Sequence, residues 1–254
     1  DAVTYAPVVA MALRASGIPF YMGTKLPARR HGLVRMLLAA LRCCGEGWRQ
    51  EDMLALVKSG FAPLTEEEAF RLENYALENG IRGTKWDRPF TRGDEAEEME
   101  PLRQRVMDPL RELRRGLREA RDAQASMTAV FGYLQQVDAY GRLKAREARL
   151  LAENLQAEAA QNRQVWRMIL ETLEQQRALL DGSRAPMEQV SAWLAAGFES
   201  AEISSLPPTP DTVTVGEVGH MALESVRSLA VMGIYSKYNQ GHSLLAEENI
   251  HLHI

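Results

Sequence analysis

The chain has 254 residues, 46% of them hydrophobic and 25% charged, with 18 Gly and 11 Pro. This composition excludes a disordered or collagen-like protein, and a net charge of −4 excludes a chain drawn to nucleic acid by its overall charge, so any basic surface has to be local. No apolar run reaches the roughly 18 residues that a bilayer span needs, and the two cysteines, Cys43 and Cys44, are adjacent and unsuited to pair with each other, which fits a reduced, cytoplasmic setting.

The chain opens without an initiator Met and without a basic-then-apolar leader, and so reads as a segment of a longer protein. Residues 4–17 predict a helix, with Pro7 in its first turn and Gly17 at its exit. Ile18-Pro19-Phe20-Tyr21-Met22 predicts a strand that stops at Gly23. Residues 32–45 carry apolar side chains on most faces and predict a buried helix. Residues 48–60 predict a short one, with Glu51 and Asp52 in its first turn and Lys58 near its end, matching the helix dipole. In 63–80, Thr65 and Glu68 have the spacing of a capping box and Gly80 supplies a stop; Phe70, Tyr75 and Leu77 or Leu72 offer the core face. An irregular loop rich in Arg, Lys and Trp follows over 81–93.

Asp108-Pro109 predicts a helix restart, with Leu110, Leu113 and Leu117 on one face and Arg111, Arg114, Arg115, Arg118 and Arg121 on the other. A further helix is predicted from about Met127 to Tyr140. Leu143 to Leu180 reads as helical throughout, with Leu155, Trp166, Ile169, Leu173 and Leu180 near one stripe and a break expected in the polar stretch Glu153–Gln164. Residues 185–198 predict the last helix. A proline hinge then leads to two strand candidates, Thr212–Val218 and Ser228–Met232.

Strands need partners for their backbone groups. The economical arrangement is therefore a mainly α chain with a small α/β part: a helical body, residues 27–204, inserted between terminal segments 1–26 and 205–254, whose strands pair with the one at 18–22.

The motifs that carry nucleotide, metal or redox chemistry are missing: there is no G-x-x-x-x-G-K-[ST], no G-x-G-x-x-G after a strand, no C-x-x-C and no H-E-x-x-H. His31 follows two arginines and reads as a solvated helix cap, and His251 and His253 read as tail. The carboxylates Asp94, Glu95, Glu97, Glu98 and Glu100 read as a solvated first turn rather than converging metal ligands. Trp48, Trp166 and Trp193 read as packing residues. Two basic clusters remain. The arginine face Arg111, Arg114, Arg115 and Arg118 is of the kind that meets phosphates, although Glu112, Glu119 and Asp122 dilute it. The loop holding Arg82, Lys85, Trp86, Arg88 and Arg92 joins cations to an aromatic of the kind that stacks on a base; the competing reading is a buried Trp86 among surface cations.

The order of Ile18-Pro19, Trp48–Asp52, Lys58–Phe61, Leu72–Tyr75 and Gly80–Trp86, followed by the stretches at 105–117, 162–173 and 211–233, resembles the AddB (RexB) subunit of bacterial helicase–nucleases over about residues 5–233. The resemblance implies the helical 2B insertion of a UvrD-like superfamily 1 body, flanked by pieces of the RecA-like domain 2A, so that both chain ends would form a partial RecA-like parallel sheet. It further implies work on double-strand DNA ends or single strands in recombinational repair, beside an AddA-like helicase subunit. The family's phosphate loop lies upstream of the matching region, and its nuclease residues and cluster cysteines lie downstream. The segment itself is therefore expected to be non-catalytic and to hold no cofactor. The family usually carries basic residues where this chain has His220 and Ala222, and the tail after Gly233 departs from the pattern, so no role is carried over to that element. The expected job is to position DNA and contact the partner subunit. The alternative is a purely protein-interacting helical module with exposed apolar patches and no DNA affinity.

Overall fold

The structure, a computed structural model, describes residues 2–22, 25–179, 186–204, 212–216 and 228–231. Helix α1 (Ala2–Ala15) starts earlier than its proline suggests, so Pro7 lies inside it rather than in its first turn. Gly17, at φ +64°, turns the chain into strand β1 (Phe20–Met22). Strand β2 (Lys25–Pro27) and a 3-10 turn (Ala28–Arg30) then lead into α2 (Gly32–Glu46), α3 (Gln50–Val57) and α4 (Glu66–Glu78). A second 3-10 turn (Gly83–Asp87) precedes α5 (Ala96–Glu119), α6 (Ala123–Gln136), α7 (Ala139–Ala152), α8 (Gln156–Leu179) and α9 (Met187–Ser200). Strands β3 (Glu202–Ser204) and β4 (Val213–Val215) complete the order.

The chain ends reunite twice. β1 pairs in parallel with β4, Phe20 opposite Val213 and Met22 opposite Val215, and the Val213 N–H donates to the Pro19 carbonyl at 3.0 Å. Just inside this pair, β2 runs antiparallel to β3, Leu26 opposite Ile203, and the bond from the Ala28 N–H to the Ala201 carbonyl (2.9 Å) continues that ladder. The parallel pairing of the strand near 18–22 with the run beginning at 212 agrees with the sequence expectation. The β2–β3 clasp does not appear in it, because two three-residue strands leave no period to read. Residues 228–231 form no strand, contrary to expectation: Leu229 is 55% exposed and Val231 46%. A β-branched run becomes a strand only beside another backbone, and none of the described residues pairs with this one. Gly23, Val218, His220, Ala222, Met232, the histidines at 251 and 253, Leu180 and the proline hinge lie outside the described residues.

One continuous core runs through the helical body. α2 is its axis. Leu33, Val34, Met36, Leu37, Ala39, Ala40, Leu41, Cys43 and Cys44 are all buried, and the helix packs against α3, α5 and α9. Both thiols are free; burial pushes Cys44 up to about 12 and Cys43 upward as well, so neither offers a thiolate at neutral pH. Gly32 is required where α2 begins, because a methyl there would lie 2.5 Å from the Ser59 carbonyl oxygen.

α5 departs from the expected restart at Asp108. It is a single helix through Pro101 and Pro109. A proline inside a helix costs about 3 kcal/mol. Met99, Leu102, Val106, Met107, Leu110, Leu113 and Leu117 form one buried stripe past both prolines, and each such side chain gains about 1.5–3 kcal/mol on burial, which decides for continuity. The helix expected over 127–140 is two. Asp138, at φ +50°, ends the first arm and caps α7 by accepting the Gly141 N–H at 3.2 Å. The break expected within 153–164 falls at its start, where Asn154 takes φ +60°.

The capping box of α4 is formed in both directions: the Glu68 N–H donates to Thr65 Oγ1 at 3.2 Å, and the Thr65 N–H to Glu68 Oε2 at 2.7 Å. Its core face is Ala69, Leu72, Tyr75 and Ala76. Phe70 and Leu77 are 64% and 48% exposed, a correction to their placement in the core. His31 does cap a helix, accepting the Leu33 N–H on Nδ1 at 3.2 Å, but it is half-buried rather than freely solvated. Its Nε2 lies 3.0 Å from Asn162 Oδ1 of α8, its ring packs on Phe61, and burial lowers its pKa below the ordinary 6.5.

Candidate nucleic-acid interface

The two basic clusters, separate in sequence, are joined through Trp48. Gly47 closes α2 in the left-handed conformation at φ +79°, and Trp48 follows at φ +57°, a conformation a bulky residue adopts only when its surroundings hold it there. The holds are identifiable. Both N–H groups reach the Cys43 carbonyl (3.2 and 3.3 Å), and the Trp48 carbonyl accepts the Gly83 N–H at 3.1 Å. The buried indole donates to Asp87 Oδ2 at 2.7 Å, and the Arg114 guanidinium lies over its ring, 5.1 Å from the centroid. Asp87 also receives α5: Arg111 donates to its carbonyl oxygen at 2.9 Å and lies 3.6 Å from its Oδ1. Trp48 and Asp87 thus fasten the 82–88 turn to the middle of α5.

A second anchor holds the far side of the loop. Arg103, buried within α5, donates to the Trp86 carbonyl at 2.8 Å and forks onto Glu100 at 2.7 and 2.5 Å, while Phe90 packs under its guanidinium. Glu100 further accepts the Phe90 N–H at 2.9 Å. Arg103, followed by desolvation working the other way and the Phe90 and Gln104 donors, sets the Glu100 carboxyl at about 2, so it stays ionised. Tyr75 closes the loop by donating to the Arg92 carbonyl at 2.6 Å.

The sequence candidates divide into three groups. Trp86 is 0% exposed and packs on Phe90, so no ring face is open to a base; the stacking reading of it is corrected, and the competing reading of a buried Trp86 among surface cations is the one the structure bears out. Arg111 pairs with Asp87 and Asp108, Arg115 lies 3.9 Å from Glu112, and Lys85 donates to the Gly80 carbonyl at 2.7 Å. Arg82, Arg88 and Arg118 are exposed and Arg114 half-buried, and among the described residues none of the four makes an ion pair. Arg82 also borders a shallow open hollow of about 590 Å³ with Arg49, Gln50 and Leu54.

Sequence reasoning did not find Arg103, Asp87 or the hub role of Trp48. Arg103 stands in a helix crowded with charge, where only its contact with the Trp86 carbonyl sets it apart from its neighbours. Three of the five carboxylates in the acidic run have structural partners: Glu95 and Glu98 pair with Arg71 (3.2 and 2.5 Å) and Glu100 with Arg103. Among the described residues no cluster of metal-ligating side chains converges, and no helix is long and apolar enough to cross a membrane.

The molecule is thus of a defined class: a helical body carried between two chain segments that rejoin as paired strands, with a basic turn fastened to one of its long helices. No protein-family profile matches the chain. Curated relatives do. It is 23% identical over 250 residues to the AddB subunit of the ATP-dependent helicase/deoxyribonuclease of Alkaliphilus metalliredigens, covering 91% of this chain and 22% of that protein. It is 28% identical over 243 residues to the protein of the same name from Geobacillus thermodenitrificans (85% and 21%), and 29% identical over 245 residues to that of Geobacillus kaustophilus (85% and 21%). The chain is homologous to one segment of these AddB proteins and spans about a fifth of their length.

Proposed function

We propose that this chain is the helical insertion, with flanking sheet segments, of the helicase-like region of a DNA-end-processing helicase–nuclease, and that it works by holding DNA rather than by catalysis. In this reading residues 27–204 are the insertion, residues 1–26 and 205–254 are pieces of a RecA-like domain, and the β2–β3 clasp stands at the root of the branch. The relatives' names support the parent's class. The observation that carries the DNA role is the union of the 82–88 turn with α5 at Trp48 and Asp87, beside which Arg82, Arg88 and Arg118 stand exposed without carboxylate partners among the described residues, with Arg114 half-buried over Trp48. Such cations meet phosphates and set the register of the strand without reading its sequence. The segment needs no cofactor in this reading, hydrolyses no ATP, acts in the cytoplasm, and docks on an AddA-like subunit.

Fluorescence-anisotropy titration of forked and single-stranded DNA tests it. Binding is expected to be weak and to fall steeply between about 50 and 200 mM salt. In Arg82→Glu/Arg88→Glu the affinity drops further, and the log–log salt slope shrinks by about 1 for each phosphate contact removed. A wild-type chain with no affinity at the lowest salt sinks the DNA role. That result favours a second reading, a protein-interaction module, to which the exposed Phe70 and Leu77 on one face of α4 already lend support.

A further inference from the structure

We propose that the seam between α7 and α8 carries a stacking platform for one unpaired base of single-stranded DNA, built on Tyr140 and Trp166. The proposal rests on the DNA-holding reading above and adds a site on different helices. Tyr140, at the start of α7, is 48% exposed, and its ring centroid lies 5.2 Å from that of Trp166 at an interplanar angle of 46°. Trp166 is partly buried against the core and so supports the tyrosine from beneath.

Cations neighbour the pair on both helices. Lys144, one turn after Tyr140, holds its Nζ 5.7 Å from the Tyr140 ring centroid. Arg163 stands one turn before Trp166 on α8. Both are fixed by Glu147, whose side chain is only 8% exposed: Lys144 reaches it at 3.0 Å and Arg163 forms a short ion pair with it. Arg167 follows Arg163 by four residues on the same helical face, is exposed, and makes no ion pair among the described residues. Glu147 thus binds two cations at once, Arg167 on the next turn of α8 pairs with no carboxylate among the described residues, and the half-exposed Tyr140 ring lies beside Lys144. A tyrosine that merely sealed the seam would be covered, and cations that merely neutralised Glu147 would leave no surplus charge. A base can stack on the exposed part of the Tyr140 ring, alongside Lys144, and carries a phosphate on either side for the cations. In a duplex those base faces are already stacked on one another, which selects a single strand.

The test uses the full 254-residue chain with an oligothymidylate and an abasic strand of equal length. Wild type is expected to prefer the oligothymidylate. Tyr140→Ala should lose roughly 5- to 150-fold on that strand and nothing on the abasic one, the range expected for one base–aromatic contact, and Tyr140→Phe should retain wild-type affinity. Photocrosslinking of wild-type protein to a 5-iododeoxyuridine strand should label the Tyr140 peptide, a readout independent of how the variant folds. Equal affinity of wild type for the two strands, or cross-links that avoid α7 and α8, overturns the platform. If salt-sensitive binding persists and is lost in Arg82→Glu/Arg88→Glu while Tyr140→Ala changes nothing, the platform falls and the DNA-holding reading stands. If wild type binds neither strand, both fall.

Discussion

Arg103 and Glu100 show how much of the basic loop depends on one side-chain pair. The Arg103 side chain is 4% exposed and Glu100 19%, and together they hold the Trp86 carbonyl and the Phe90 N–H. Removing one member of a buried pair leaves the other uncompensated, typically at a cost of about 3–5 kcal/mol. Arg103→Met is expected to destabilise the chain by about that amount in urea unfolding and to weaken DNA binding by loosening Arg82 and Arg88. The carboxyl of Glu100 is depressed from its ordinary 4.5 to about 2. A depressed acid stabilises the fold above its unfolded value and loses that contribution as protons return. Stability should therefore fall as pH drops from about 4.5 towards 2, and Glu100→Gln should flatten that part of the profile while lowering stability at neutral pH. A wild-type profile flat across this window would contradict the assigned role.

Among the helices, close approach decides which glycines are replaceable. α5 and α6 pack with Gly116 against Ala129; a methyl on Gly116 would come within 2.8 Å of the Ala129 Cβ. Gly132, also in α6, has nothing within 4 Å of the corresponding position. Gly116→Ala is expected to lower stability by about 1–3 kcal/mol through overpacking, and Gly132→Ala to raise it by up to about 1 kcal/mol through helix propensity. Paired thermal melts check both, and similar shifts in the two variants would refute the assigned packing of α5 on α6. The same helices show why local signals mislead. Pro109 looks like a first-turn proline, yet α5 passes through it because its buried stripe extends on both sides.

Over the whole molecule, the two unions of the chain ends set the architecture. A two-stranded parallel pair of three residues each has little stability of its own, so β1–β4 should open before the helical body does. Val213→Pro removes the donor to the Pro19 carbonyl. Hydrogen exchange should then rise over 20–22 while amides of α2 and α5 keep their protection. Loss of protection throughout the body would show instead that the strands and helices unfold as one unit.

Local chemistry makes much of this protein legible in advance. The Thr65–Glu68 capping box, the largely apolar α2 and the leucine stripe at 110, 113 and 117 are properties of a few neighbouring residues, and each appears in the structure as read. The strand at Phe20–Met22 is readable as well, because its β-branched partner run at 213–215 needs somewhere to pair. What no local pattern contains is decided by contacts between distant segments. These are the β2–β3 clasp, the outward turn of Phe70 and Leu77, the burial of Arg103, and the meeting of the 82–88 turn with α5. The physical reason is the same in each case: a periodicity or a cap is written in adjacent residues, whereas the partner that covers a face or neutralises a charge is chosen only when the chain closes on itself.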